Sequence, residues 1–288
     1  MSQVPIGIIG GSGLYSMDGM MITEERWMET PFGKPSDAIL LGELSGVPIA
    51  FLSRHGRGHL FSPSEINYRA NIYALKTLGV ERIVSVSAVG SMKEKIVPGH
   101  LVIVDQFIDR TRQRPSTFFE KGIVAHVSFA DPVCPDLFKL VAAAAKKTGA
   151  TTHVGGTYVC IEGPMFSSRA ESKLFRSWGV DVIGMTAYQE AKLAREAEIC
   201  YVTVALSTDY DCWHEGEDAV DVAMVVATMN KNVTTAKGLL KEVVAQVPVH
   251  RACACGHALK SAVMTAPEKI SPEAKKRLAA ILEKSSRA

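Results

Sequence analysis

No stretch of this chain holds the roughly 18 consecutive apolar residues that a membrane-spanning helix needs. Its opening, MSQVPIGIIGG, has neither the basic start nor the long apolar run of a secretory signal. A soluble, cytoplasmic protein without membrane contact is therefore expected. An excess of one charge is also missing. Lys and Arg number 32 against 30 Asp and Glu, for a formal charge of +2, and the basic residues are scattered except near the C-terminus. That pattern lacks the electrostatic footprint of a nucleic-acid binder. Two nucleotide signatures fail as well. After GGSG (Gly10 to Gly13), Ser16 stands where a dinucleotide fingerprint needs its third glycine, and no Gly-Lys-Ser/Thr follows as a P-loop requires. No obvious linker divides the chain, which favours one domain.

What is present is material for a large core: 47% of the 288 residues are apolar and 22% charged, enough for a single α/β domain. Residues 5–10 read as a short buried strand, and 38–44 and 47–53 as a hairpin around Ser45 and Gly46. Pro63 is expected to start a helix that stops at Gly79. Strands follow at 82–89 and 101–108, a helix at 135–148, a strand at 153–161 and a helix at about 168–178. Beyond these come a strand at 181–185, a helix at 189–198, a strand at 199–207, a long helix at 219–246 and a tail helix at 272–284. This alternation predicts a mixed β-sheet flanked by helices.

Ligands of open α/β sheets collect beyond the carboxyl ends of strands. The first such exit is GGSG, a turn whose backbone N–H groups and Ser12 hydroxyl suit an anion. The second, SRHGRGH, gathers Arg54, His55, Arg57 and His59, with Arg69 later; a planar guanidinium fits a tetrahedral oxyanion. SVSAVGS (Ser85 to Ser91) ends a third strand in small hydroxyl residues. IEGPMFSSRAES follows a fourth and presents Phe166, a flat face for a planar ring, beside Ser167. MTAYQE ends a fifth with Thr186 placed to cap a helix, whose N-terminus favours anions.

The last exit carries two acids one residue apart, Asp209 and Asp211, in STDYDCWHE. An adenine ring shows an acceptor at N7 and a donor at its 6-amino group, whereas a 6-oxopurine shows two acceptors. One ionised and one protonated acid match the adenine edge. A base that leaves a sugar carries negative charge out through N7, so a buried acid aimed there would be a general acid. Anion-dependent cleavage of a nucleoside is the reaction these groups imply. Asp209 is expected to protonate N7, and Asp211 to meet the amino group or orient its neighbour.

Taken in order, GGSG, ETPFGKPSD, RHGRGH, NYRANIYALK, DQFIDRT, EGPMFSSRAES and STDYDCWHE resemble the methylthioadenosine phosphorylases of the trimeric purine nucleoside phosphorylase superfamily, over about residues 5 to 245. The resemblance implies a single-domain nucleoside phosphorylase fold with a partly barrel-like mixed sheet. It divides the chain into a catalytic body, residues 1–250, and a C-terminal Cys-x-Cys segment and helix, 251–288. Phosphate would be held by Ser12, Arg54, His55, Ser87, Ala88 through its backbone, and Thr186; ribose would meet Met185 and Ser87. The base would lie on Phe166 with Ser167, Asp209 and Asp211 at its edge and in catalytic roles, and the 5′-methylthio group in a recess including Val222 and Val225. His126 matches a residue that reaches across a subunit boundary, implying a homotrimer or a hexamer built from two trimers. Metal and organic cofactor are not implied, phosphate being a co-substrate. Ser12 and Ser87 replace threonines, Gln189 a proline and Met165 an arginine of the family pattern. A 6-oxopurine phosphorylase would carry Glu after the Phe and Asn at the acid position, where Ser167 and Asp209 stand here; a nucleoside sensor would not need the phosphate-binding groups.

Six cysteines, at 134, 160, 200, 212, 253 and 255, are unusual for a reducing compartment. HRACACGH (His250 to His257) leaves a metal site, a disulfide or redox role and plain buried thiols open, although zinc sites usually space their cysteines by two to four residues. The family resemblance adds that Cys-x-Cys tails accompany structural disulfides, and it makes a Cys134–Cys200 bridge conceivable.

Overall fold

The buried run IGIIG forms β1 (Ile6–Gly10) in a computed structural model that describes residues 4–214 and 222–282, the side chains of 222–227 excepted. A run without polar alternation suits a strand covered on both faces. It lies between two parallel neighbours, β4 (Val47–Ser53) and β5 (Arg82–Ser91). The expected hairpin is present: β3 (Ile39–Leu44) pairs antiparallel with β4, turned by Ser45 and Gly46, both at positive φ. Outside β3 runs β2 (Met21–Arg26), which the sequence pattern does not reveal. Its residues, MITEER, are almost wholly exposed, and charges on an edge strand discourage further pairing while erasing the apolar alternation.

The strand expected over 101–108 divides at Asp105 into β6 (Leu101–Val104) and β7 (Gln106–Arg110). The one expected over 153–161 divides at Gly155 and Gly156 into β8 (Thr152–Val154) and β9 (Thr157–Ile161). Both breaks belong to one corner. β6 pairs with β8 and β7 with β9 in the same parallel register, and the Asp105 carboxylate accepts the Gly156 N–H at 3.0 Å. Gly155 takes φ +88 there, a conformation that needs glycine. Beyond the corner, β9 pairs with β10 (Val182–Gly184) and β10 with the end of β5, while β6 pairs with β11 (Cys200–Asp209) and β11 with the full length of β5. The mixed sheet thus closes part of itself into a barrel-like ring, as expected.

Helices cover the sheet. α1 (Tyr68–Thr77) begins later than Pro63 because Asn67 caps it, its side chain accepting the Ala70 N–H, and residues 62–65 form a separate turn. α2 (Pro135–Lys147) and α5 (Val222–Gln246) pack on the largest apolar cluster; α1 and α4 (Ala187–Glu196) serve a second. α3 (Arg169–Ser177) opens on a capping box between Ser168 and Glu171. The expected tail helix is two short ones, α6 (Pro272–Arg277) and α7 (Ala279–Leu282), interrupted at Leu278. Ala274, Leu278 and Ile281 bury the tail in the second cluster. Among the described residues, no helix is long and apolar enough to cross a membrane.

Candidate active site

Strand β5 has different neighbours at its two ends on the side away from β11. Arg82–Ser85 pair with β1 and Gly90 with Ser91 pair with β10, which leaves residues 86–89 without a strand there. A cavity of about 720 Å³ opens at this edge. Ser12 after β1, Arg54 and His55 after β4, Ser87 and Ala88 of β5, Phe166 and Ser167 before α3, Met185 and Thr186 after β10, and Asp209 and Asp211 at the end of β11 all line it. His126 does not: it is exposed elsewhere, its N–H donating to the Ala262 carbonyl at 2.8 Å. The side chains of Val222 and Val225 lie outside the described residues. Met229, one turn beyond Val225 on α5, does line the cavity.

At the acid end, the register of β11 against β5 shifts between Ser207 and Asp209, so that Asp209 sits opposite Gly90. Such a bulge re-aims the side chains that follow it. Asp209 Oδ1 accepts the Asp211 N–H at 2.8 Å, and Asp211 takes a positive φ of 53°; the one-residue spacing is thus itself a side-chain-closed turn. Gly90 is required beside it, because a Cβ there would lie 2.9 Å from Asp209 Oδ1. The Thr208 hydroxyl is 2.7 Å from Asp209 Oδ2 and 3.1 Å from the Val89 carbonyl. It can donate to an ionised Asp209, or turn to Val89 and accept from a protonated one. Burial pushes the Asp211 carboxyl above its ordinary range. Next to the pair, the buried Ser167 hydroxyl has no hydrogen-bond partner among the described residues. Trp213 ties the segment down, its Nε1 donating to the Ser91 carbonyl at 2.7 Å beneath the Arg176 guanidinium.

The opposite end is less basic than the sequence suggests. Arg57 pairs with Glu25 and Asp37, and Arg69 with Glu120, outside the cavity. Arg54 is buried and bound to an equally buried Glu190, Nε to Oε1 at 2.5 Å and Nη2 to Oε2 at 3.1 Å. Its Nη2 also donates to Ser85 Oγ and its Nη1 to the Val86 carbonyl, on the unpaired edge of β5. A guanidinium has five N–H groups, so one, on Nη1, is left for the cavity. His55 is neutral: burial first, and the Arg54 charge second, push it from 6.5 down to about 3. Its Nδ1 lies 2.8 Å from the Phe61 carbonyl, which can only accept, so Nδ1 carries the proton and Nε2 is a bare acceptor. Thr186 occupies the N-cap position of α4 yet makes no side-chain capping bond, which frees its hydroxyl beside the positive helix end.

His59, a member of the basic cluster in the sequence, lines the cavity with Tyr15, and a network behind the lining escaped the sequence pattern. His59 stacks on His55 with ring centroids 4.2 Å apart and meets the Tyr15 hydroxyl at 2.9 Å. Arg114, buried, binds the carbonyls of Met185 and Glu162 and the Glu162 carboxylate, and so holds the loops on either side of Phe166 and Met185. Gln189 joins this network through Arg114 and Thr111, which accounts for a polar residue in the first turn of α4. No signal near Arg114 in the sequence points to these contacts, since its partners lie more than 40 residues away.

A mixed sheet that brings the polar groups of Ser12, Arg54, His55 and Thr186 to one end of a cavity and an acid pair to the other fits the nucleoside-type phosphorylases. The chain belongs to the phosphorylase superfamily, whose family model matches residues 5–245. It is similar to the S-methyl-5′-thioadenosine phosphorylase of Geobacter sulfurreducens, 58% identical over 283 residues that cover 98% of this chain and 99% of that one. The same holds for the S-methyl-5′-thioadenosine phosphorylase of Koribacter versatilis, 57% identical over 98% of this chain and 97% of the relative. Among solved structures, a methylthioadenosine phosphorylase from an antarctic soil metagenomic library superposes with a TM-score of 0.93 at 51% identity, covering 98% of this chain and all of that one. The Schistosoma mansoni methylthioadenosine phosphorylase in complex with adenine gives 0.84 at 34% identity, with 98% of each chain covered.

Two outcomes follow from the buried charges. Glu190→Gln leaves the Arg54 charge uncompensated and should lower unfolding free energy by about 3–5 kcal/mol, measured by urea denaturation; a loss under about 1 kcal/mol would contradict the pairing. His55 binds its proton more weakly folded than unfolded, so below pH 6.5 the unfolded state gains the proton first. Stability should fall with decreasing pH from 6.5 towards 3, by up to about 1.4 kcal/mol per unit. His55→Asn should make the thermal midpoint less sensitive across that window, and an unchanged pH slope would contradict a neutral buried imidazole.

Proposed function

We propose that the protein catalyses the phosphorolysis of S-methyl-5′-thioadenosine to adenine and 5-methylthio-α-D-ribose 1-phosphate. The observation that carries this reading is the placement of an acid pair and an anion cradle across one cavity, in a chain more than half identical to enzymes of that name. Phosphate lies against the Ser12 turn, the remaining Arg54 N–H, the edge of β5 at Ser87 and Ala88, and Thr186 with the N-terminus of α4. The Arg54 charge is offset by Glu190, so binding draws on oriented dipoles rather than on net positive charge. His55 Nε2, a bare acceptor, then takes a hydrogen bond from the P–OH of monoprotonated phosphate, and an unprotonated phosphate oxygen is left to attack.

Attack at the anomeric carbon forms the new C–O bond as the bond to N9 breaks. The bonding electrons pass into the purine and gather at N7, where the acid pair supplies a proton. Asp209 is the donor, with Thr208 able to follow either of its protonation states, and burial raises the carboxyl of Asp211 beside it. Ser167 adds a hydroxyl at the base edge and Phe166 a flat face beneath it. Ribose meets Met185 and Ser87. The 5′-methylthio group takes the apolar side at Met229.

No metal or organic cofactor enters this scheme, and the partners are small molecules rather than nucleic acid or membrane. His126, exposed and remote from its own cavity, suits a role in the site of a neighbouring subunit within a homotrimer or a pair of trimers. Broader purine nucleoside phosphorylase activity is the second reading, and the acid at position 209, in place of an amide, weighs against 6-oxopurines. Incubation with methylthioadenosine should release adenine only when phosphate is present, with one methylthioribose 1-phosphate formed per adenine, as read by chromatography. Adenine release without phosphate, or none at all, would overturn the proposal.

A further inference from the structure

Four of the six cysteines come together far from the cavity. Cys134 stands at the N-cap of α2, Cys200 opens β11, and Cys253 and Cys255 flank and enter a short 3₁₀ turn at Ala254–His257. All four Sγ atoms lie within 4.8 Å of one another, and Cys200 and Cys253 are 3.3 Å apart. The sulfurs carry free thiols, so the conceivable Cys134–Cys200 bridge is not formed. We propose that these four cysteines bind a structural zinc ion.

Tetrahedral zinc–thiolate coordination, with Zn–S near 2.3 Å, sets neighbouring sulfurs about 3.8 Å apart. The 3.3 Å between Cys200 and Cys253, with every pair within 4.8 Å, is compatible with that spacing. Soft thiolates select zinc over the hard cations that carboxylates hold, and among the described residues the cluster contains no carboxylate. Cys134, Cys200 and Cys255 are at most 3% exposed. Three buried sulfur groups and the half-buried Cys253 stand in an apolar cluster, where Leu137 N–H donates to Cys134 Sγ at 3.5 Å from the first turn of α2, as outer-shell donors do at thiolate sites. In the sequence motif Cys253 and Cys255 stand with His250 and His257, and their one-residue spacing is a poor match to zinc sites. Folding turns both histidines outward, where they are exposed, and supplies Cys134 and Cys200 instead. On binding, each thiol loses its proton to solvent and forms one S–Zn bond, with no change of oxidation state.

The ion would clamp three segments that are distant in the chain. It would fix the start of the C-terminal tail, where Arg251 also binds the Glu198 carbonyl and the Leu259 N–H the Glu198 carboxylate, to the start of β11. That strand runs on to Asp209 at its other end. Zinc therefore acts on stability and not on substrate.

The test is native mass spectrometry and elemental analysis of the full chain purified without chelator or added reductant. About one zinc per chain is expected, released by a mercurial that titrates the four thiols, with a lowered thermal midpoint afterwards. Cys253→Ser with Cys255→Ser should reduce bound zinc at least tenfold. Should that variant not fold, cobalt substituted into the unaltered protein should give the absorption of a tetrahedral thiolate site. Metal-free protein with titratable thiols, or a mass short by the four hydrogens of two disulfides, would overturn the proposal.

Discussion

The buried ion pair between Arg54 and Glu190 is the interaction on which the site depends. Where β5 changes neighbours from β1 to β10, its backbone faces inward without a partner strand, and unpaired peptide groups in an interior are costly. Arg54 answers that cost by donating to the Val86 carbonyl. A guanidinium at that depth needs its own counter-charge, which α4 brings in as Glu190, itself bound by Ser85 and Tyr201. The same contacts that satisfy the strand edge therefore fix the start of α4, and with it Thr186 and the helix end that faces the cavity.

One consequence is electrostatic. On the proposed function, the paired Arg54 and neutral His55 would hold phosphate through N–H and hydroxyl dipoles that the fold has already oriented. The acid end is organised on the same principle. Asp209 is held by the Asp211 N–H and watched by a threonine hydroxyl with a second acceptor in reach, so a proton can leave without a rearrangement of the backbone. Gly90 and the β11 bulge make the room. The acids are therefore both a turn and a chemical device, since the bond that closes the turn is one that orients the carboxylate.

Much of this was legible in the sequence because strand exits carry local signals. GGSG, RHGRGH, EGPMFSSRAES and STDYDCWHE each announce a turn with unusual polar groups, and the residues singled out in them, Arg57 excepted, meet in one cavity. What escaped depends on contacts between distant segments. Arg57 and Arg69 look like partners of Arg54 in sequence, but β2 and the 118–120 segment supply acids that claim them. Arg114 and Glu190 gain their roles only when α4 docks. The corner at Asp105 and Gly155 was hidden for a related reason: β6 with β7, and β8 with β9, keep one apolar pattern through the bend. The cysteine cluster shows the same limit, its ligands being drawn from three places in the chain.

The central claim is that the acid pair reads and protonates the purine. The most direct measurement is the specificity of Asp209→Asn, compared with the unaltered enzyme on methylthioadenosine and inosine by kcat/KM. An amide donates where the acid would accept, and it has no proton to give N7. The account predicts a loss of at least about 10²-fold with methylthioadenosine, and a loss with inosine smaller by at least about tenfold. Equal losses on the two substrates would contradict it.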